Sequence, residues 1–71
     1  KKNNMYKKIK FNKLVKITME NVFSSQWKTF TFTKDEEIVG RVDKSPRGFN
    51  WLVTEDGWGG RLYNKQDVQI N

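Results

Sequence analysis

The chain has 71 residues, no cysteine and no histidine, and 14 Lys or Arg against eight Asp or Glu, for a formal net charge of +6. This length implies one domain. The missing residue types exclude disulfides and the usual zinc sites, and remove the commonest general base and the best thiol nucleophile.

The charge is uneven along the chain. Lys1, Lys2, Lys7, Lys8, Lys10, Lys13 and Lys16 all precede the first acid, Glu20, so the remaining seven basic residues face all eight acids. Eleven Lys, three Arg and seven Asn fit AT-rich codon usage. That bias does not explain why acids avoid the start. A cationic leading segment on a nearly neutral body suggests an electrostatic handle for a polyanion.

From Lys1 to Asn12 the pattern is ambiguous. Tyr6, Ile9 and Lys13 mark a weak helical face, whereas Lys7, Ile9 and Phe11 alternate as in a strand. Residues 1–12 are therefore expected to be a basic arm or an extra strand, dispensable to the fold, ahead of one β domain over 13–71. Beyond Lys13 the period is two. Val15, Ile17 and Met19 alternate with polar residues, and Asn21 to Ser25 reads as a loop. Trp27 to Thr33 is dense in β-formers. Trp27 shares a face with Thr29, Thr31 and Thr33, which makes Phe30 and Phe32 the core pair.

Lys34-Asp35-Glu36-Glu37 reads as a charged hairpin tip, followed by alternation over Ile38 to Asp43. Lys44-Ser45-Pro46-Arg47-Gly48 suits a tight turn. Phe49, Trp51 and Val53 alternate with Asn50, Leu52 and Thr54, which predicts that Trp51 points inward and that Trp51→Ala unfolds the protein. Glu55-Asp56-Gly57 is a hairpin signal before Trp58 to Tyr63. Asn64-Lys65-Gln66-Asp67 reads as a short 3₁₀ turn before Val68 to Ile70. No helix longer than two turns is expected after residue 13.

The stretch from Glu55 to Ile70 resembles the second half of an SH3 domain. There, an acidic-Gly turn leads into a Trp-bearing strand, a 3₁₀ turn and a final strand with a Val. Trp58 matches the family's groove-facing first tryptophan. Asn64 to Val68 match its 3₁₀ turn and final strand. The family's Ala-Leu-Tyr-Asp-Tyr pattern is missing from the first half. Asp67 stands where the family has a ligand-binding Tyr, and the preceding Pro is missing, so the resemblance implies the barrel rather than proline-rich peptide recognition. The expected fold is all-β, a small five-stranded SH3-like barrel, since short strands hide their edges by closing. An OB-like barrel would need more residues and a helix between its third and fourth strands. The chain also looks like small proteins of bacteriophages and mobile elements in low-GC Gram-positive bacteria, by its size, Lys/Asn bias and acidic-Gly turn.

Glu55-Asp56 and Asp35-Glu36-Glu37 read as solvated turns rather than catalytic carboxylates. Ser24-Ser25 has no base at hand, and Gly57-Trp58-Gly59-Gly60 lacks the spacing of a phosphate loop. The expectation is a non-enzymatic binding protein without cofactor, metal or small-molecule substrate. Lys7, Lys8, Lys10, Lys13 and Lys16 are the candidate nucleic-acid-binding residues. Trp27, Trp58, Arg61 and Tyr63 are the candidate partner-binding residues, with Trp27 and Trp58 placed outward. Two readings follow: a nucleic-acid or nucleoprotein binder, or a phage-type inhibitor that covers a host enzyme or defence protein. The longest aliphatic or aromatic run, Trp51-Leu52-Val53, is far short of the ~20 residues of a membrane span. No apolar stretch of about 7–15 residues follows the lysine-rich start as in a signal peptide. The expected location is the cytoplasm of a bacterial host cell, with no membrane partner.

Overall fold

The computed structural model describes residues 5–71, so Lys1 and Lys2 lie outside the described residues. Seven strands follow one another: β1 (Lys7–Phe11), β2 (Val15–Asn21), β3 (Trp27–Phe32), β4 (Glu37–Lys44), β5 (Asn50–Thr54), β6 (Trp58–Leu62) and β7 (Val68–Ile70). A 3₁₀ turn at Lys65–Asp67 joins β6 to β7. All neighbours are antiparallel, and the order across the single sheet is β3-β2-β6-β5-β4-β1-β7. Among the described residues no helix is long and apolar enough to cross a membrane.

The sheet rolls up without closing. Four strands separate β1 from β3, yet Phe11 on β1 stacks on Phe32 of β3 with ring centroids 4.4 Å apart. The inner face encloses Ile9, Phe11, Ile17, Met19, Phe32, Leu52, Leu62 and Val68, with Val15, Phe30, Ile38, Val42 and Trp58 packed around them. The pattern behind this is the period-two alternation of half-buried strands, which puts every second side chain on one face.

The turns explain the path. Gly48 and Gly57 adopt positive φ in the β4–β5 and β5–β6 hairpins, where glycine carries no steric cost. In the first, Ser45 N–H donates to the Phe49 carbonyl; in the second, Gly57 N–H donates to the Thr54 carbonyl. The turn at residues 34–37 is not a hairpin tip, because β3 and β4 do not pair. It carries the chain from the outermost strand across the roll. Asp35 N–H donates to the Phe11 carbonyl and Phe11 N–H to the Glu36 carbonyl, tying this corner to β1.

Two further expectations are corrected. Over residues 7–11 the leading segment takes the strand form of its two expected alternatives but is not dispensable: β1 lies between β4 and β7, and Ile9 and Phe11 are fully buried. The strand alternation there wins over the helical face because it places both apolar side chains inside. The faces of β5 are also reversed. Leu52 is fully buried and Trp51 is half-buried on the outside. Trp51, Leu52 and Val53 are consecutive apolar residues, so alternation alone leaves the phase of β5 ambiguous. Its neighbours decide: Leu52 pairs with Val42 and with Gly60 on the inner face, while Trp51 pairs with Asp43 and Arg61 on the outer one.

Candidate partner-binding surface

The outer face of the sheet is built by the residues that the register leaves outward. In one row Trp27, Glu20, Gly59, Val53 and Arg41 lie across β3, β2, β6, β5 and β4. In the next, Arg61 pairs with Trp51 and Trp51 with Asp43. At Gly59 a Cβ would come 2.7 Å from Trp51 Nε1, so the indole lies directly on the β6 backbone.

Along β6 the outward positions continue from Gly59 to Arg61 and then to Tyr63, just past the strand. The Arg61 guanidinium lies over two rings, with Cζ 4.5 Å from the centroids of both Phe49 and Tyr63. Phe49 in turn meets Trp51 at 6.2 Å between centroids. A planar guanidinium stacks on ring faces in a way an ammonium cannot. Tyr63 is 78% exposed, and among the described residues Arg61 forms no ion pair. Its five N–H donors are thus left for an outside anion. Arg41 differs: its Nε–H donates to Asp43 Oδ2 at 2.9 Å while its guanidinium lies 5.1 Å from the Tyr6 ring. The hydrogen bond to Asp43 holds the guanidinium still more firmly protonated than an ordinary arginine. The same carboxylate offsets its charge.

The loop between β2 and β3 is tied down from within. Buried Asn21 accepts from the Phe23 and Ser24 N–H groups at Oδ1, at 2.9 and 3.1 Å, and its Nδ2 donates to the Asp56 carbonyl. Val22 N–H donates to the Gly57 carbonyl, and the Phe23 ring lies where a Cβ on Gly57 would be. This anchoring displays Val22 and Phe23, which remain 73% and 80% exposed. Between this loop and β4–β6 lies a hollow of about 320 Å³ lined by Tyr6, Phe23, Arg41, Trp51 and Val53 among others.

The partner-binding candidates divide accordingly. Trp27 is 64% exposed on the outer face of β3. Arg61 and Tyr63 are exposed on the same face. Trp58 is on the inner face, half-buried, in an edge-to-face contact with Phe30 at 4.9 Å. Its outward placement is therefore corrected: Gly59 and Gly60 do not leave it open, because Gly60 is pressed against the Thr18 carbonyl and Gly59 is covered by Trp51. Trp58 instead borders a second hollow of about 380 Å³ at the mouth of the roll, with Met19, Phe30, Phe32 and Ile38.

The lysines are not brought to one spot. Lys8 and Lys10 project from one face of β1 and Lys7 from the other, beside Gly40. Lys10 is half-buried and lies 3.8 Å from Asp35. Lys13 is exposed in the β1–β2 turn. Lys16 is exposed on the outer face of β2, paired with Thr31, and the antiparallel run of β2 beside β6 directs it toward the end of the face that holds Tyr63.

Phe49, Trp51, Tyr6, Val22 and Phe23 escaped the sequence reading as surface residues. For Val22-Phe23 the signal was present, two large apolar residues in succession inside a loop. For Trp51 it was masked by its apolar neighbours. Among the described residues no three His, Cys, Asp or Glu side chains gather as metal ligands. Comparison of the chain with family models, with curated proteins and with solved structures gives no match.

Proposed function

We propose that this chain is a small non-enzymatic binding protein whose partner is nucleic acid or nucleoprotein, engaged through its lysines and exposed aromatic side chains. The observation that carries this reading is the uncompensated charge of the leading third. Lys7, Lys8, Lys13 and Lys16 are exposed and, among the described residues, form no ion pair. Lysines so placed neutralise phosphates and release counterions. The fold reading that goes with it is SH3-like. The run β6-β5-β4-β1-β7 is the five-stranded unit, and β2–β3 is a hairpin inserted into it that lengthens the sheet on the β6 side. The succession of Gly57 turn, Trp58 strand, 3₁₀ turn and Val68 strand supports this. The proposed setting is the cytoplasm of a bacterial host cell, for a protein of phage or mobile-element type.

One feature favours a second reading, a protein inhibitor of a host enzyme or defence protein. The Asn21-anchored loop holds Val22 and Phe23 outward, and rigid apolar anchors are what a protein interface uses. A pull-down from a Gram-positive bacterial lysate, with and without nuclease, separates the two. Capture abolished by nuclease supports nucleic acid. Nuclease-resistant capture of one protein, lost on Phe23→Ala, supports the inhibitor and refutes the first reading.

A further inference from the structure

Resting on the nucleic-acid reading, we infer that the Phe49–Arg61–Tyr63 ladder on the outer sheet face, extended by Trp51, is a stacking site for single-stranded nucleic acid.

The geometry is that of a platform. Arg61 Cζ lies 4.5 Å from the centroids of both Phe49 and Tyr63, and Trp51, paired with Arg61 across β5 and β6, meets Phe49 at 6.2 Å. One face of Tyr63 holds Arg61 while the side chain remains mostly in solvent. An unpaired base has a π-face to lay on such a ring; a base inside a duplex has both faces covered. Arg61 supplies the second requirement. Its Cζ lies over the two rings, while its N–H donors meet no carboxylate among the described residues and suit a phosphate. Further positive charge lies at this end of the sheet. Arg47 is exposed in the turn leading to Phe49, and Lys16 points the same way from β2. The charge complement of that arrangement is a phosphate backbone whose bases turn toward the ladder. Neither Arg41, offset by Asp43, nor Trp58, on the inner face, belongs to it. The site is sequence-tolerant in its stacking, because every base offers a π-face.

The test is fluorescence anisotropy at low salt. It uses labelled oligothymidine and oligoadenosine 12-mers and a duplex of the same length, with the full chain. The wild type is expected to bind the single strands at least tenfold more tightly than the duplex. Tyr63→Ala, at a mostly exposed position, is expected to keep its melting temperature and lose roughly five- to a hundredfold of single-strand affinity. Arg61→Lys keeps the charge and removes the planar stack. It is expected to lose several-fold with the salt dependence unchanged. Equal affinity for duplex and single strand overturns the inference and leaves the nucleic-acid reading standing. So does a single-strand preference that Tyr63→Ala and Arg61→Lys do not alter. Binding to none of the three probes removes that reading, and the inference falls with it.

Discussion

Gly59 and Gly60 are adjacent on β6, yet different neighbours hold each of them to hydrogen. A Cβ at Gly60 would come 2.5 Å from the Thr18 carbonyl oxygen, a backbone atom that cannot move without prising β2 from β6. A Cβ at Gly59 would meet the Trp51 indole, which can swing outward. Gly60→Ala should therefore destabilise by the ~1–3 kcal/mol typical of overpacking, and more if the strands cannot relax. Gly59→Ala should cost less and shift the tryptophan emission as Trp51 moves into water. Thermal melts and fluorescence spectra of the two variants check this; an equal loss in both would mean that Trp51 is as fixed as the backbone. The same reasoning ranks the β5 side chains. Leu52→Ala empties a fully buried position and should cost ~2–5 kcal/mol. Trp51→Ala strips a half-buried residue from the outer face and should leave a folded protein. A Trp51 variant less stable than the Leu52 variant would reverse this assignment of faces.

Among the elements, β1 carries more weight than its lysine-rich composition suggests. It pairs with β4 on one side and β7 on the other, and it contributes Ile9 and Phe11, two of the largest fully buried side chains. Deleting residues 1–12 strands β7 as an unpaired segment and opens the core under Phe32. The truncated chain should show no cooperative melt by circular dichroism; a cooperative transition near that of the full chain would show that the remaining strands suffice. The β2–β3 loop depends on one side chain in a similar way. Asn21→Ala removes two acceptor contacts and one donor contact at a buried site, a loss of about 1–3 kcal/mol for groups left unpaired. Much of the architecture was legible in the sequence. The alternation located β2 to β7 to within a residue or two, the positive-φ glycines marked both hairpins, and the 3₁₀ turn lay at its expected place. Among the features that were hidden, three show the physical reason. The corner at residues 34–37 looks like a hairpin because turn chemistry is local, while strand pairing is set by the rest of the sheet. Trp51 was misplaced because three consecutive apolar residues carry no phase. The Phe49–Arg61–Tyr63 contact joins residues on or next to two paired strands, and it becomes visible only once β5 and β6 are in register.

For the molecule as a whole, the question is whether its positive charge acts through a few lysines or as a general field. The exposed cations are dispersed: Lys7 and Lys8 on opposite faces of β1, Lys13 in the turn, Lys16 on the outer face of β2. Lys10 is partly offset by Asp35 at 3.8 Å. A long-range field falls off within a Debye length, about 10 Å at 0.1 M salt. Direct phosphate contacts instead leave a fixed signature, a slope in log affinity against log salt of about −0.7 per phosphate on a single strand. The chain cannot be shortened to find out, since β1 is part of the core, but its lysines can be neutralised in place. Lys7, Lys8, Lys13 and Lys16 are exposed, and among the described residues none forms an ion pair, so their replacement by glutamine should leave the melting temperature within a few degrees. If all four meet phosphate, the fourfold variant should lose up to about 3 units of slope, whereas Lys10→Gln alone should lose less than one. The two variants and the wild type are compared by titrating an oligothymidine from 50 to 300 mM salt, about a sixfold range over which such a difference is well resolved. A fourfold variant with the wild-type slope would assign the contacts to other cations, and Arg61 and Arg47 at the ladder end of the sheet would be the next to neutralise.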